Sequence, residues 1–404
     1  MTKYRILFTS YGASHVNMVM PVMRALRQRG DVDLRILALT TAHAVAESAG
    51  FEPVGFRDLW RPGDDTARRH GRRLAAGMDT NLVSLAESEA YLGLSYAELE
   101  ADAGEQLAEK EFAEKGRAAF LPVRTVGRLI DDWKPDLVVT TNSPRAERAM
   151  ILAAGLRGVP SLAMGDLFLD FEWQWMADNG FATRVTVLGE SVRRHLIAKG
   201  RSPATIAVTG NPALDHLVSE TAVASGTALR SRLGWQERSI IAWTLPAVTA
   251  GDTRIAPVAD KLDILQAMLD RDANLRIILR AHPNQRMDFG RLDDRYHVSP
   301  REESVHAVIH AADVLFTEFS MVGLEAALAG KPVVTNSADD AIPYGPLGLS
   351  TDIATIADLD AALTTALRDR PEPRLDLLGA PPTGTATANV IKEIDRLLLR
   401  QRAD

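Results

Sequence analysis

Three stretches of the chain put side chains capable of chemistry at points where an apolar run gives way to a helical pattern. Tyr11-Gly12-Ala13-Ser14-His15-Val16-Asn17 follows the run RILFT at residues 5–9. Gly12 and Ser14 suit a tight turn there. His15 would then stand at a helix start, and imidazole is the side chain whose titration suits general-base work near neutral pH. Local capping or packing is the alternative role for His15, and Asp166 is a candidate to orient it on position alone. Leu279-Arg280-Ala281-His282-Pro283-Asn284 follows the run LRIIL, which sets His282 just past a strand end. The third stretch, LFTEFSMVGLEAALAGKPVV at residues 315–334, reads as strand, turn, helix, glycine, strand. Its turn Glu318-Phe319-Ser320-Met321-Val322-Gly323 opens a helix, where free amides and the positive dipole end favour an anion. Gly323 would let a phosphate approach the backbone, and Glu325 could receive two ribose hydroxyls. The plainer reading makes Ser320 an N-cap and Glu325 a first-turn acid.

These positions require strands that end on one rim. Runs at 5–9, 34–39, 136–140 and 160–163 read as strands, with helices through 19–26 and 146–156 between them. A second set follows at 239–244, 275–279, 314–317 and 332–335, with helices at 262–269, 304–311 and 322–328. Alternation of this kind implies parallel sheets covered on both faces. In such sheets the ligand crevice lies beyond the carboxyl ends of the strands. Val208-Thr209-Gly210-Asn211-Pro212 breaks the pattern between the halves. The expected organisation is therefore an α/β N-terminal domain at 1–210, a C-terminal domain at 211–385 and a terminal helix at 386–404. Residues 57–125 interrupt the first half as a helical insertion rich in Arg, Ala and Glu, a position from which long insertions often shape a ligand cleft.

With 404 residues, two domains of ordinary size fit. No cysteine is present, which excludes disulfides, thiolate metal sites and Cys nucleophiles. The charge balance of −7 argues against a nucleic-acid binder. No apolar run is long enough to span a bilayer, and residues 1–8 lack the apolar core of a signal peptide, so a cytoplasmic protein is expected. The amphipathic stripe Val390, Ile391, Ile394, Leu397 and Leu398 should pack on the body; peripheral membrane contact and a homodimer stay open.

Together, GASHVNMVMPVMRAL, VTGNPALDHL, RAHPN and TEFSMVGLEAALAGKPVV resemble the GT-B superfamily. That group holds nucleotide-sugar glycosyltransferases and the related UDP-N-acetylglucosamine 2-epimerases. The resemblance implies two Rossmann-like domains facing across a cleft, with the donor on the C-terminal half and the acceptor on the N-terminal half. It assigns Ser320, Met321, Val322 and Gly323 to the donor phosphates, Glu325 to the ribose and His282 to phosphate. It matches His15 to the base of inverting members, beside an acceptor-side loop of Gly12, Ser14 and Asp166. The implied activity is metal-independent glycosyl transfer in carbohydrate biosynthesis, from a UDP- or CDP-linked sugar to a carbohydrate, lipid-linked or small-molecule acceptor. No separate cofactor is implied. An epimerase is the runner-up and a non-catalytic GT-B-like partner the third possibility. Leu245-Pro246-Ala247-Val248 and Glu318-Phe319-Ser320-Met321 replace the His/Arg-rich and Asp-Ser-Gly-Gly turns of the epimerases. The loop at 243–252 has no basic residue before Arg254, leaving Thr244 and Thr249 as its hydroxyl donors.

Overall fold

Apolar and β-branched runs become short strands buried on both faces. The computed structural model describes residues 3–245, 257–282, 285, 287, 289–318, 320–336 and 343–400. The chain divides into two units, one of residues 1–213 with 385–404, the other of 214–384.

In the first unit, β1 (Tyr4–Ser10), β2 (Val32–Ala38), β3 (Pro53–Val54), β4 (Leu137–Thr141), β5 (Ser161–Met164), β6 (Arg184–Val187) and β7 (Ile206–Val208) form one sheet. Its order is β3-β2-β1-β4-β5-β6-β7 and every pairing is parallel. Ile6, Phe8, Leu137 and Val139 contribute to a core with Val19, Met23 and Leu26 of the helix Ser14–Arg29. The terminal helix Ala386–Arg400 belongs to this unit. Val390, Ile394, Leu397 and Leu398 enter the same core, and Glu393 meets the Arg184 guanidinium at 2.6 Å. The strands β3, β6 and β7 lie outside the sequence expectation: β3 and β7 have two and three residues, and in β6 Arg184 and Thr186 break the apolar run.

The insertion is helical, with no strand between β3 and β4 among the described residues. Its helices are Asp65–Ala75, Leu85–Ala103, Glu105–Lys115 and Val123–Trp133. One buried and one half-buried acid satisfy amides that would otherwise lack partners. Glu98 accepts from the amides of Arg124 (2.7 Å) and Thr125 (2.9 Å), and Glu87 from those of Phe56 (2.6 Å) and Arg57 (3.1 Å). The first two helices touch backbone to backbone. A Cβ on Gly71 would sit 2.3 Å from the Glu89 carbonyl oxygen, and one on Gly93 would sit 2.2 Å from that of Ala67. Gly93→Ala must push these helices apart, and we expect it to destabilise the protein by about 1–3 kcal/mol. Urea unfolding measures this, and an unchanged midpoint would contradict the close crossing.

In the second unit, β8 (Ser239–Thr244), β9 (Leu275–Arg280), β10 (Tyr296–Val298), β11 (Val314–Thr317), β12 (Val333–Asn336) and β13 (Thr351–Ile353) form a second parallel sheet. Its order is β10-β9-β8-β11-β12-β13. β8 and β11 coincide with the expected strands, whereas the three-residue edge strands β10 and β13 were not expected. Trp243, Leu265, Leu279 and Phe316 form part of its core. No helix among the described residues is long and apolar enough to cross a membrane.

Candidate functional site

A parallel open sheet offers its ligand crevice where the strand order reverses. In the first sheet this point lies between β1 and β4. The loop after β1 delivers His15 there, and the end of β4 delivers Thr141. His15 Nδ1 lies 2.7 Å from Thr141 Oγ1. The Thr141 hydroxyl donates to Glu147 Oε2, which also accepts from the Ser143 amide at 3.0 Å. Glu147 Oε1 accepts from the Tyr11 amide at 2.5 Å. Glu147 is completely buried, in the first turn of the helix Ala146–Gly155, where the dipole favours its negative charge. A hydroxyl has one proton, and that of Thr141 points at a carboxylate. Its oxygen therefore accepts from His15, which assigns the ring proton to Nδ1 and a lone pair to Nε2.

Asp166, expected by position to orient His15, is half-buried near it. The ring's hydrogen bond goes to Thr141 instead. The Asp166 amide donates to Asn142 Oδ1 at 3.1 Å, and its carboxylate accepts from Asn211 Nδ2 at 3.2 Å. Burial pushes the Asp166 carboxyl above the usual carboxylate range, opposed first by the charge of His15. A carboxyl raised in the folded state keeps its proton longer than in the unfolded chain. Stability is then lost as pH rises from the unfolded value, about 3.9, through the folded one. Asp166→Asn should escape that loss, so its melting temperature should gain on wild type as pH rises from 4 to 7. A constant difference across that range would contradict the assignment.

Backbone strain gathers on the same rim. Ala13 (φ 50°), Thr40 (φ 46°), Leu167 (φ 32°) and Leu169 (φ 60°) are left-handed non-glycine residues in the loops after β1, β2 and β5. Each conformation of this kind costs about 1–3 kcal/mol and recurs at functional sites. Gly12 has φ +121°, and a Cβ there would lie 2.5 Å from Thr40 Oγ1 and 2.6 Å from Thr41 Oγ1. The Thr41 hydroxyl accepts from the Ala13 amide at 2.9 Å, and the Thr40 hydroxyl donates to the Tyr11 carbonyl. Ser14 is exposed at the helix start.

In the second unit the order reverses between β8 and β11. His282, past β9, lines a cavity of about 340 Å³ with Arg280, Ser299 and Glu302. Arg280 is tied to its own neighbourhood: it donates to Ser299 Oγ at 3.0 Å, to the Arg301 carbonyl at 3.1 Å and to the Pro300 carbonyl. The helix expected to bind phosphate is Val322–Leu328. The Val322 amide meets Ser320 Oγ at 3.4 Å, and the Gly323 amide meets the Ser320 carbonyl at 3.1 Å. The Tyr344 hydroxyl accepts from the Leu324 amide at 3.1 Å and donates to the Ser320 carbonyl at 2.7 Å. Gly323 is buried, and a Cβ on it would lie 3.2 Å from the Tyr344 ring. Its missing side chain thus makes room for Tyr344. Met321 precedes the helix in its N-cap position.

Glu325 Oε2 lies 3.5 Å from His306 Nε2, and the His306 ring meets that of His216 edge-on at 4.1 Å. His306 lay in no motif of the sequence, and His216 stood in VTGNPALDHL without a role of its own. Glu318 is fully buried against Lys261, so it belongs to the interior. Pro283, Asn284, Phe319, Thr249 and Arg254 lie outside the described residues, as does most of the 243–252 loop. Among the described residues, no group of three or more His, Asp or Glu side chains is arranged to hold a metal ion.

Two α/β units, each with a parallel open sheet, constitute the GT-B architecture. A family model described as CDP-glycerol:poly(glycerophosphate) glycerophosphotransferase matches residues 198–344. No curated protein matches the chain. Among solved structures, the chain is similar to UDP-GlcNAc 2-epimerase from Neisseria meningitidis bound to UDP-GlcNAc. That match has 12% identity and a TM-score of 0.61, covering 99% of this chain and 100% of the other. S. aureus MnaA with UDP matches at 15% identity and a TM-score of 0.60, covering 98% and 97%. Anabaena HepE with UDP and glucose matches at 15% identity and a TM-score of 0.50, covering 98% and 100%. At these identities the likeness is one of fold.

Proposed function

We propose that this protein is an inverting glycosyltransferase that moves a sugar from a UDP- or CDP-linked donor to an acceptor hydroxyl, with His15 as the general base. The chain from His15 through Thr141 to the buried Glu147 carries this reading, because it leaves Nε2 free to take a proton. The acceptor O–H gives its proton to Nε2 as its oxygen bonds to the anomeric carbon. The bond from that carbon to the diphosphate breaks with its electron pair, and a nucleoside diphosphate leaves. Glu147, acting through Thr141, favours the imidazolium that forms. Donor contacts are proposed for His282, the Ser320 hydroxyl, and the Met321 and Val322 amides. Gly323 contributes the space that Tyr344 fills, and Glu325 receives the ribose.

The family match over 198–344 favours a second reading, transfer of phosphoglycerol from CDP-glycerol. The same base would serve, but the acceptor oxygen would bond to phosphorus, the P–O–P bridge would break and CMP would leave. Epimerisation, suggested by the structural relative from Neisseria meningitidis, would leave the nucleotide attached and change the sugar. Incubation with UDP-sugars, CDP-sugars and CDP-glycerol in the presence of cell extract, followed by nucleotide chromatography, separates the three. Release of diphosphate supports glycosyl transfer. CMP or an altered sugar moves the assignment, and no reaction above a His15→Ala control rejects enzymatic turnover with these donors.

Nucleotide binding has its own readout. A ligand at 100 times its Kd stabilises the folded state by about 2.7 kcal/mol. We expect one nucleoside diphosphate to raise the melting temperature of wild type and His15→Ala alike, with the shift largely lost in Glu325→Ala. An undiminished shift in Glu325→Ala would remove it from the donor site.

A further inference from the structure

We infer that the acceptor is a compact molecule with an apolar, ring-sized body and a hydroxyl, held in a cavity between the helical insertion and the loop that carries His15. This rests on His15 being the base. The cavity, about 340 Å³, is bounded by Tyr11 and Ala13 just before His15, by Leu39 after β2, and by Met78, Leu82 and Leu92 of the insertion. Its wall is mainly hydrocarbon. Leu82 is 79% exposed, so a large apolar side chain stands on the rim with little protein covering it. Glu87 also faces the cavity, but its carboxylate is occupied by the Phe56 and Arg57 amides. Arg117 and Asp79 lie on the exposed margin.

One polar side chain inside is a buried phenol. Tyr91 is only 9% exposed and lines the cavity. Arg145, which lies over the Tyr11 ring at 4.6 Å, supplies the first opposing charge as burial pushes the Tyr91 phenol up, and it also approaches the hydroxyl as a hydrogen-bond donor. A guanidinium can only donate, so the proton of the Tyr91 hydroxyl is left to be offered to a ligand's oxygen. An apolar wall with one or two placed polar groups is the usual form of a small-molecule site, and the volume is near the lower end of the roughly 300–1,000 Å³ such sites span. A polysaccharide or poly(glycerophosphate) chain would leave its hydroxyls and phosphates facing Leu39, Met78 and Leu92 without partners. A long prenyl chain exceeds the space.

The probe is 4-methylumbelliferone, a fluorescent fused-ring phenol, titrated into the full chain by fluorescence polarisation. Undecaprenol in detergent micelles and a glycerol-phosphate oligomer form the other arms. We expect saturable binding of the phenol. Leu82→Arg, which sets a charge on the apolar rim, should bind about tenfold more weakly, and Tyr91→Phe, which removes the hydroxyl proton, should also bind more weakly. No binding of the phenol, binding indifferent to both substitutions, or binding only of the undecaprenol or the oligomer would overturn the inference. Phenol binding at this cavity without turnover from any donor would reject the transferase reading and leave the cavity's ligand class standing. Donor turnover without phenol binding does the reverse.

Discussion

Replacing His15 by Ala should lower kcat by about 10²–10⁴-fold while leaving nucleotide binding unchanged, the range a positioned general base contributes. More telling is Glu147→Gln, which alters no group that could touch substrate. Glu147 accepts from Thr141 and from the Tyr11 and Ser143 amides, all buried or half-buried. A carboxamide can keep one amide contact but can also turn its NH₂ towards Thr141. The Thr141 hydroxyl would then donate to His15 Nδ1, driving the ring proton onto Nε2 and removing the lone pair that takes the acceptor's proton. The expected result is a kcat lower by about 10–100-fold with KM for the donor unchanged. A merely structural Glu147 would reduce folded protein and leave kcat per folded enzyme unchanged. Thr141→Val keeps the shape of the side chain and should reproduce the kcat loss. Full activity in Thr141→Val would dismiss the relay, and full activity in His15→Ala would dismiss the base.

The rims on which these groups stand were legible from the sequence because buried parallel strands are nearly continuous apolar runs. SIIAWT and VLFT could be bounded to the residue. RVTV and IAV could not, since Arg184 and Thr186 break the apolar run of the first and the second has only three residues. His15 was legible because a glycine turn after a strand marks the start of a helix. Its partners were not. Thr141 reads as the last residue of a β-branched strand, and Glu147 as a favourable first-turn acid. Only the reversal of strand order between β1 and β4 brings residues 126 positions apart to within 2.7 Å. The turn at 318–323 illustrates the opposite limit: its residue types fit anion binding, but Tyr344, more than twenty positions away, occupies the Leu324 amide. The cavity against the insertion left no motif, because Tyr11, Leu39, Met78 and Leu92 share no spacing.

The largest stability effect should come from Glu318, which was read as part of a binding turn and is instead half of a buried ion pair. Lys261 Nζ lies 2.7 Å from Oε1 and 2.8 Å from Oε2, and neither side chain has any exposure. Burial pushes the Glu318 carboxyl up and the Lys261 ammonium down, and their mutual contact is what chiefly opposes both shifts. The pair ties the end of β11 to the helix Val258–Arg271, on the rim that also carries Ser320. Removing one partner strands a charge in the interior, which costs about 3–5 kcal/mol, a large part of the roughly 5–15 kcal/mol that holds a domain folded. Glu318→Ala should therefore unfold the second unit at much lower urea, read through Trp243, whose ring lies 5.4 Å from the ammonium. Lys261→Met with Glu318→Leu should recover most of the loss, because an apolar pair of similar volume strands no charge. If Glu318→Ala costs less than about 1 kcal/mol, the level of an exposed pair, water reaches this site and the interior assignment fails. If the double replacement is as unstable as the single one, the pair does more than neutralise charge: its geometry then sets the path of the turn that leads to Ser320, and nucleotide-induced stabilisation should be lost with it.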